Sequence, residues 1–156
     1  MPVEIVFDQG FGDLFVIRVA GNIVAPSQIG SVEFAAEQLG VRLAVVLGHT
    51  QCGAVQATLD ALRHSTEHGS RNVRDIVDRI RPAVAELLET DLRADPAALA
   101  RHAVRANVRL AADHLRHGSD VLERLTDESG FLVVGAEYSL ETGVVDFFDG
   151  VPKRPE

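Results

Sequence analysis

A single cysteine, Cys52, leaves the chain without a partner for an internal disulfide and fits a reducing, cytoplasmic setting. No apolar run comes near the ~18–20 residues that a membrane span requires; the runs are short, such as residues 43–47 and 131–134. The opening "MPVEIVFDQG" lacks the basic stretch and apolar core of a secretory signal, so none is expected. Lysine and arginine are in deficit, 15 against 23 acidic residues for a net charge of −8, and the two signs are interleaved. Without a basic stripe, nucleic acid and anionic membrane are not expected partners; a small neutral or anionic substrate is compatible with this balance. Low-complexity stretches, internal repeats and linkers are also missing, which points to one domain. What is present, 46% hydrophobic and 24% charged residues over 156 positions, suits a globular chain long enough to bury a real core.

Apolar periodicity sets the expected elements. Residues 14–20 in "DLFVIRVAGN" are almost continuously apolar and rich in Val, Ile and Phe, which predicts a strand ended by Gly21 and Asn22. "PSQIGSVEFAAEQLG" (26–40) spaces Ile29, Val32, Phe34, Ala35, Ala36 and Leu39 near the helical period, with Gly40 placed as a C-terminal cap. "VRLAVVLG" (41–48) reads as a second buried strand, residues 53–63 as a helix and 64–72 as a polar loop. A helix over 73–89 carries Pro82, which should kink or restart it. Asp95 and Pro96 look like an N-cap and a proline at the first helical position, opening a long helix to His117 that Gly118 closes. A short helix over 119–126, a third strand over 130–140, a turn at 141–143 and a last strand over 144–148 complete the chain. The alternation implies an α/β fold: a mostly parallel sheet flanked by helices on both faces, with a C-terminal antiparallel hairpin at its edge.

In open α/β sheets the working groups gather beyond the C-terminal ends of the strands, where Asn22, His49 and Cys52 fall. "VVLGHTQCGAV" (45–55) sets His49 and Cys52 in one strand-to-helix turn. Imidazole and thiolate are donors that zinc favours, but zinc takes three or four protein ligands, so the pair is half a site. The competing interpretation is an inert, packed cysteine beside a hydrogen-bonded loop histidine.

"FDQGFGDLFVIRVAGN" (7–22) followed by "LAVVLGHTQCGAV" (43–55) strongly resembles the β-class carbonic anhydrases. The similarity continues in "RNVRDIVDRIRPAV" (71–84), "RANVRLAADHL" (105–115) and "GFLVVGAEYSLETGVVDFF" (130–148), nearly the whole chain. The resemblance implies a zinc cofactor held by two cysteines, one histidine and, in some states, an aspartate. His49 and Cys52 match the histidine and the second cysteine. The first cysteine, the aspartate and an arginine paired with it belong to a C-x-D-x-R motif that precedes the segment resembling "VPVEIVFDQG"; no such motif occurs in this sequence, which begins "MPVEIVFDQG". The expectation is an N-terminally truncated member, or one whose start was misassigned to an internal GTG codon at the family's usual valine. The family's arm helices and a central strand, lying between the strands matched by 14–20 and 41–47, would then be missing. Those two strands would pair directly, leave a gap or accept a strand from another molecule.

The other residues carry functional and structural readings side by side. Asp8 is a candidate replacement ligand and Gln9 a candidate at the mouth of the site; structurally, both would make a turn into Gly10. Arg18, inside an apolar stretch, should reach a carboxylate or a subunit interface. Asn22 should fix its turn, and Gly53 should let the backbone start a helix beside Cys52. His64 and His68 are expected to be solvated, His102, His114 and His117 to lie on the long helix, and Tyr138 to pack. With no tryptophan, the resemblance does not extend to the bicarbonate-regulated subgroup and its Trp/Arg/Tyr pocket.

Three functions follow. The resemblance implies zinc-dependent reversible hydration of carbon dioxide to bicarbonate by a dimer-based homo-oligomer, with His49 and Cys52 on the metal and a further ligand from solvent, Asp8 or a partner chain. The absent ligands imply that this chain has little or no activity, because each lost thiolate removes a strong, charge-neutralising donor. A catalytically inactive homologue with a scaffold or oligomer role is the alternative, and chemistry on carbon disulfide or carbonyl sulfide is a third possibility.

Overall fold

A computed structural model describes residues 1–64 and 69–153. Along the chain run α1 (Val3–Val6), α2 (Pro26–Gln38), β1 (Leu43–His49), α3 (Gly53–His64), α4 (Arg71–Val84), α5 (Pro96–His117), α6 (Asp120–Ser129), β2 (Leu132–Tyr138) and β3 (Val145–Asp149). Short 3₁₀ turns lie at Ala20–Asn22, Glu86–Glu89 and Asp91–Ala94. The strands form one sheet in the order β1-β2-β3. β1 and β2 are parallel, from Leu43 opposite Leu132 to His49 opposite Tyr138, and β3 returns antiparallel at the edge with Val145 opposite Tyr138. The fold is α/β with a small mixed sheet. Among the described residues no helix is long and apolar enough to cross a membrane.

Local chemistry explains most boundaries. Gln28 Oε1 accepts from the Ala25 N–H at 3.2 Å and Pro26 opens α2, which ends before Gly40 at φ 70°. Asp95 Oδ1 accepts from the N–H groups of Ala97 and Ala98, both at 3.0 Å, satisfying two of the orphan donors of α5. Ser119 caps α6 through the Leu122 N–H at 3.2 Å, and α6 continues past the predicted 126 until Gly130, at φ 67°, turns the chain out. Pro82 sits in the last turn of α4, and the chain restarts as 3₁₀ at Glu86.

α5 is the helix that lies along the sheet. Its buried stripe, from Leu99 to Leu115, joins two parts of the core. Leu99, Ala103 and Val104 pack with Val55 and Leu59 of α3 and Ile80 and Val84 of α4. Val108, Ala111, Ala112 and Leu115 pack with Val46, Val133, Ala36 and Leu122. Arginines on α5 fasten it to the hairpin: Arg105 donates to Glu137 (2.8 Å) and Asp146 (2.5 Å), and Arg116 donates to the Val133 carbonyl (2.8 Å) and Asp149 (2.7 Å). Arg105 and Arg109 also lie over the Phe148 ring, 4.6 and 4.9 Å from its centroid. Side chains alternate along a strand, so Phe147 points to the opposite face, where Phe7, just after α1, meets it at 6.4 Å between centroids. Cover there is thinner than the expected flanking on both faces, and Phe147 stays 44% exposed.

The strand predicted over 14–20 does not form. Residues 14–19 join no sheet and lead into the 3₁₀ turn Ala20–Asn22. Among the described residues, the backbone N–H and C=O groups of residues 14–18 have no hydrogen-bond partner. Leu14, Phe15 and Ile17 are 36%, 46% and 37% exposed. Apolar content favours a strand only when a neighbour stands about 4.8 Å away to complete the ladder. Among the described residues β1 pairs with β2 alone and its other edge has no strand partner. Of the three expected outcomes, direct pairing of 14–20 with 41–47 does not occur among the described residues. Arg18, in this segment, is exposed and has no carboxylate partner among the described residues, so of its two expected roles the pairing with a carboxylate is not seen.

Candidate metal centre

β1 ends at His49, Thr50 and Gln51 make the turn, and Cys52 stands directly before α3. Cys52 is 7% exposed and packs among Ile23, Val55 and Leu59, while its carbonyl accepts the Gln56 N–H at 3.0 Å. His49 is half-buried, and its Nδ1 lies 2.8 Å from the Thr50 carbonyl oxygen. A carbonyl only accepts, so Nδ1 carries the hydrogen and the Nε2 lone pair is left free in the neutral ring. This is the outer-shell arrangement that prepares a metal-binding imidazole.

The turn is tied to the β2–β3 connection. The Thr50 N–H donates to the Tyr138 carbonyl at 3.0 Å, and its hydroxyl donates to Glu141 Oε2 at 2.9 Å while accepting the Leu140 N–H at 3.0 Å. Gln51 adopts φ 57°, a left-handed conformation, and its amide donates to Glu141 Oε1 at 2.6 Å. The bonds from Thr50 and then Gln51 hold the Glu141 carboxyl below the usual glutamate range.

A second polar clamp lies beneath the turn. Gly21 (φ 68°) and Asn22 (φ 42°) are both left-handed, and a Cβ on Gly21 would stand 2.7 Å from Ile80 Cδ1. Asn107, 2% exposed on α5, donates through Nδ2 to the Gly21 carbonyl at 2.7 Å and approaches Asn22 Oδ1 at 3.5 Å. Asn22 sits in the turn it was expected to fix, its Oδ1 toward Asn107 and its own Nδ2 buried and without a partner among the described residues.

The two donors suit zinc in kind but not in number. Among the described residues, no group of three or more His, Cys, Asp and Glu side chains is placed to hold a metal ion. Asp8 is exposed at φ 51° and Gln9 donates to the carbonyls of Phe7 and Asp8 at 2.9 and 3.0 Å, so both build the turn after α1 and neither joins His49 and Cys52 in such a group. His64 ends α3 and is exposed, and His68 lies outside the described residues. His102, His114 and His117 are exposed on α5, where His117 faces Asp113 (3.7 Å) and Glu123 (3.5 Å). Tyr138 is half-buried. Sequence reasoning missed Asn107, Glu137 and Glu141. The first two carried a signal, a polar residue on the buried stripe of a helix and a carboxylate within an apolar strand; Glu141, in a turn, carried none.

A family profile described as carbonic anhydrase matches residues 1–145. Carbonic anhydrase 2 of Mycobacterium tuberculosis is 39% identical over 143 residues, which are 92% of this chain and 66% of that protein, so the chain spans just under two thirds of the relative's length. The carbonic anhydrase of Mycolicibacterium smegmatis is 53% identical over 84 residues, 54% of this chain and 40% of the relative. The structure of a tetrameric β-carbonic anhydrase from the filamentous ascomycete Sordaria macrospora superposes with a TM-score of 0.83 over 94% of this chain and 74% of that one; at 22% identity this is a likeness of fold. The chain belongs to the β-carbonic anhydrase family.

Proposed function

We propose that this protein serves the reversible hydration of carbon dioxide to bicarbonate and a proton, with His49 and Cys52 as its contribution to a zinc site, and that the 156 residues alone do so weakly or not at all. Family membership supports the reaction class. The observation that carries the assignment of ligands is the His49 ring, whose Nδ1 is engaged by Thr50 so that Nε2 stays free three residues before the buried Cys52. The weak activity rests on the donor count, because two protein ligands leave a metal with too many solvent positions to be held tightly. Remaining positions would go to solvent or to a partner chain. Homologues include a tetramer, and we extend a dimer-based homo-oligomer to this chain. The same donor count favours a second reading, an inactive homologue kept for its scaffold or its subunit contacts.

Zinc content by atomic spectrometry and carbon dioxide hydration by stopped flow separate these cases. For the 156-residue chain we expect well under one zinc per chain, further reduced in His49→Ala and Cys52→Ala, and hydration near the uncatalysed rate. Zinc near one per chain together with hydration abolished by Cys52→Ala would overturn the weak-activity proposal. Zinc binding unchanged in both variants would remove His49 and Cys52 as ligands.

A further inference from the structure

The turn that bears His49 and Cys52 is not held by its own residues. Gln51 stands in the left-handed region at φ 57°, which costs a residue with a side chain on the order of 1 kcal/mol or more unless something holds it there. The peptide group between Thr50 and Gln51 contains both the Gln51 N–H and the Thr50 carbonyl. Rotation about the Gln51 backbone bond therefore swings the oxygen that receives the His49 Nδ1 hydrogen. Whatever fixes Gln51 fixes the ring.

We infer that Glu141 is a positioning residue for His49: by gripping Thr50 and Gln51 it locks their shared peptide and so selects the ring tautomer that leaves Nε2 free. The grip has two prongs. Oε1 takes the Gln51 amide at 2.6 Å and Oε2 takes the Thr50 hydroxyl at 2.9 Å. Glu141 is itself preset by its own turn, because the Ser139 hydroxyl donates to Oε2 at 3.1 Å and accepts the Thr142 N–H at 3.1 Å. Backbone bonds from the Gly143 N–H to the Ser139 carbonyl and from the Ser139 N–H to the Val144 carbonyl, both 2.9 Å, close that turn. A carboxylate offers the acceptor sites for three donors at once, whereas an amide side chain offers one oxygen. No other side chain among the described residues bonds to both Thr50 and Gln51.

The consequence for metal binding rests on the assignment of His49 as a ligand, but the tautomer itself does not, and it can be read in the metal-free protein. Long-range ¹H–¹⁵N spectra of the full chain at pH 8 distinguish a protonated from an unprotonated Nδ1. The wild type should show His49 predominantly in the Nδ1–H form. Glu141→Ala, at an exposed site, should lose that predominance, and Glu141→Gln, with a single acceptor oxygen for one of the two prongs, should keep only part of it. Adding Gln51→Gly to Glu141→Ala should restore it, since glycine occupies the left-handed region without strain. An unchanged tautomer in Glu141→Ala, or a loss that Gln51→Gly does not reverse, would overturn the inference. Failure of His49→Ala to alter zinc content counts against the ligand assignment alone.

Discussion

Gly48, the residue before His49, shows how little room the site's foundations have. A Cβ there would stand 2.6 Å from Val108 Cγ2 and 3.3 Å from Val104 Cγ1, so α5 packs directly on the β1 backbone. Both valines are on the buried stripe of α5, held by other contacts, and neither is the free end of a long side chain. Gly48→Ala should therefore destabilise the protein by about 1–3 kcal/mol, the usual cost of overpacking a tight core, measured by urea denaturation; a change within error would mean that α5 shifts away freely. Asn107 works at the same scale: its amide meets a carbonyl that would otherwise be buried without a partner at the Gly21–Asn22 turn. These contacts explain why a site whose chemistry sits in one short turn depends on residues far along the chain.

At the scale of elements, the helices were legible because their signals are local. The Asp95–Pro96 pair marked the start of α5 and Gly118 its end, and both hold in the structure. Removing the cap by Asp95→Ala should cost about 1 kcal/mol, since the N–H groups of Ala97 and Ala98 lose their acceptor; thermal unfolding should show a lower midpoint with no change in the folded-state spectrum. The β1–α3 turn was legible for the same reason, its donors and glycines being neighbours in sequence. The segment 14–19 was not, because a strand is a property of two chains of backbone rather than one. Its apolar content predicted burial against a neighbour, and no neighbour stands there among the described residues. The carboxylate pairing expected of Arg18 assumed that strand and is likewise not seen among the described residues. Glu141 was out of reach altogether, its partners Thr50 and Gln51 lying 91 and 90 positions away.

Across the whole molecule, stability is uneven. β2 is central, paired on both edges and covered by α5, whereas residues 14–18 and the outer edge of β1 present, among the described residues, unpaired backbone and partly exposed apolar side chains. Hydrogen exchange on the isolated chain at low concentration should show residues 14–18 exchanging near the rate of an unstructured peptide and Val133 to Ala136 strongly protected. Equal protection of the two segments would show that the open edge is covered in solution. The sequence by itself determined the ends of α5, the β1 and β2 strands, the His49–Cys52 turn and the family, because each rests on residues close together in the chain. Tertiary structure alone decided which apolar segment finds a strand partner, how α5 meets Gly48 and how Glu141 reaches Thr50 and Gln51. Those outcomes depend on backbone groups and side chains brought together from opposite ends of the sequence, and no local pattern encodes the distance between them.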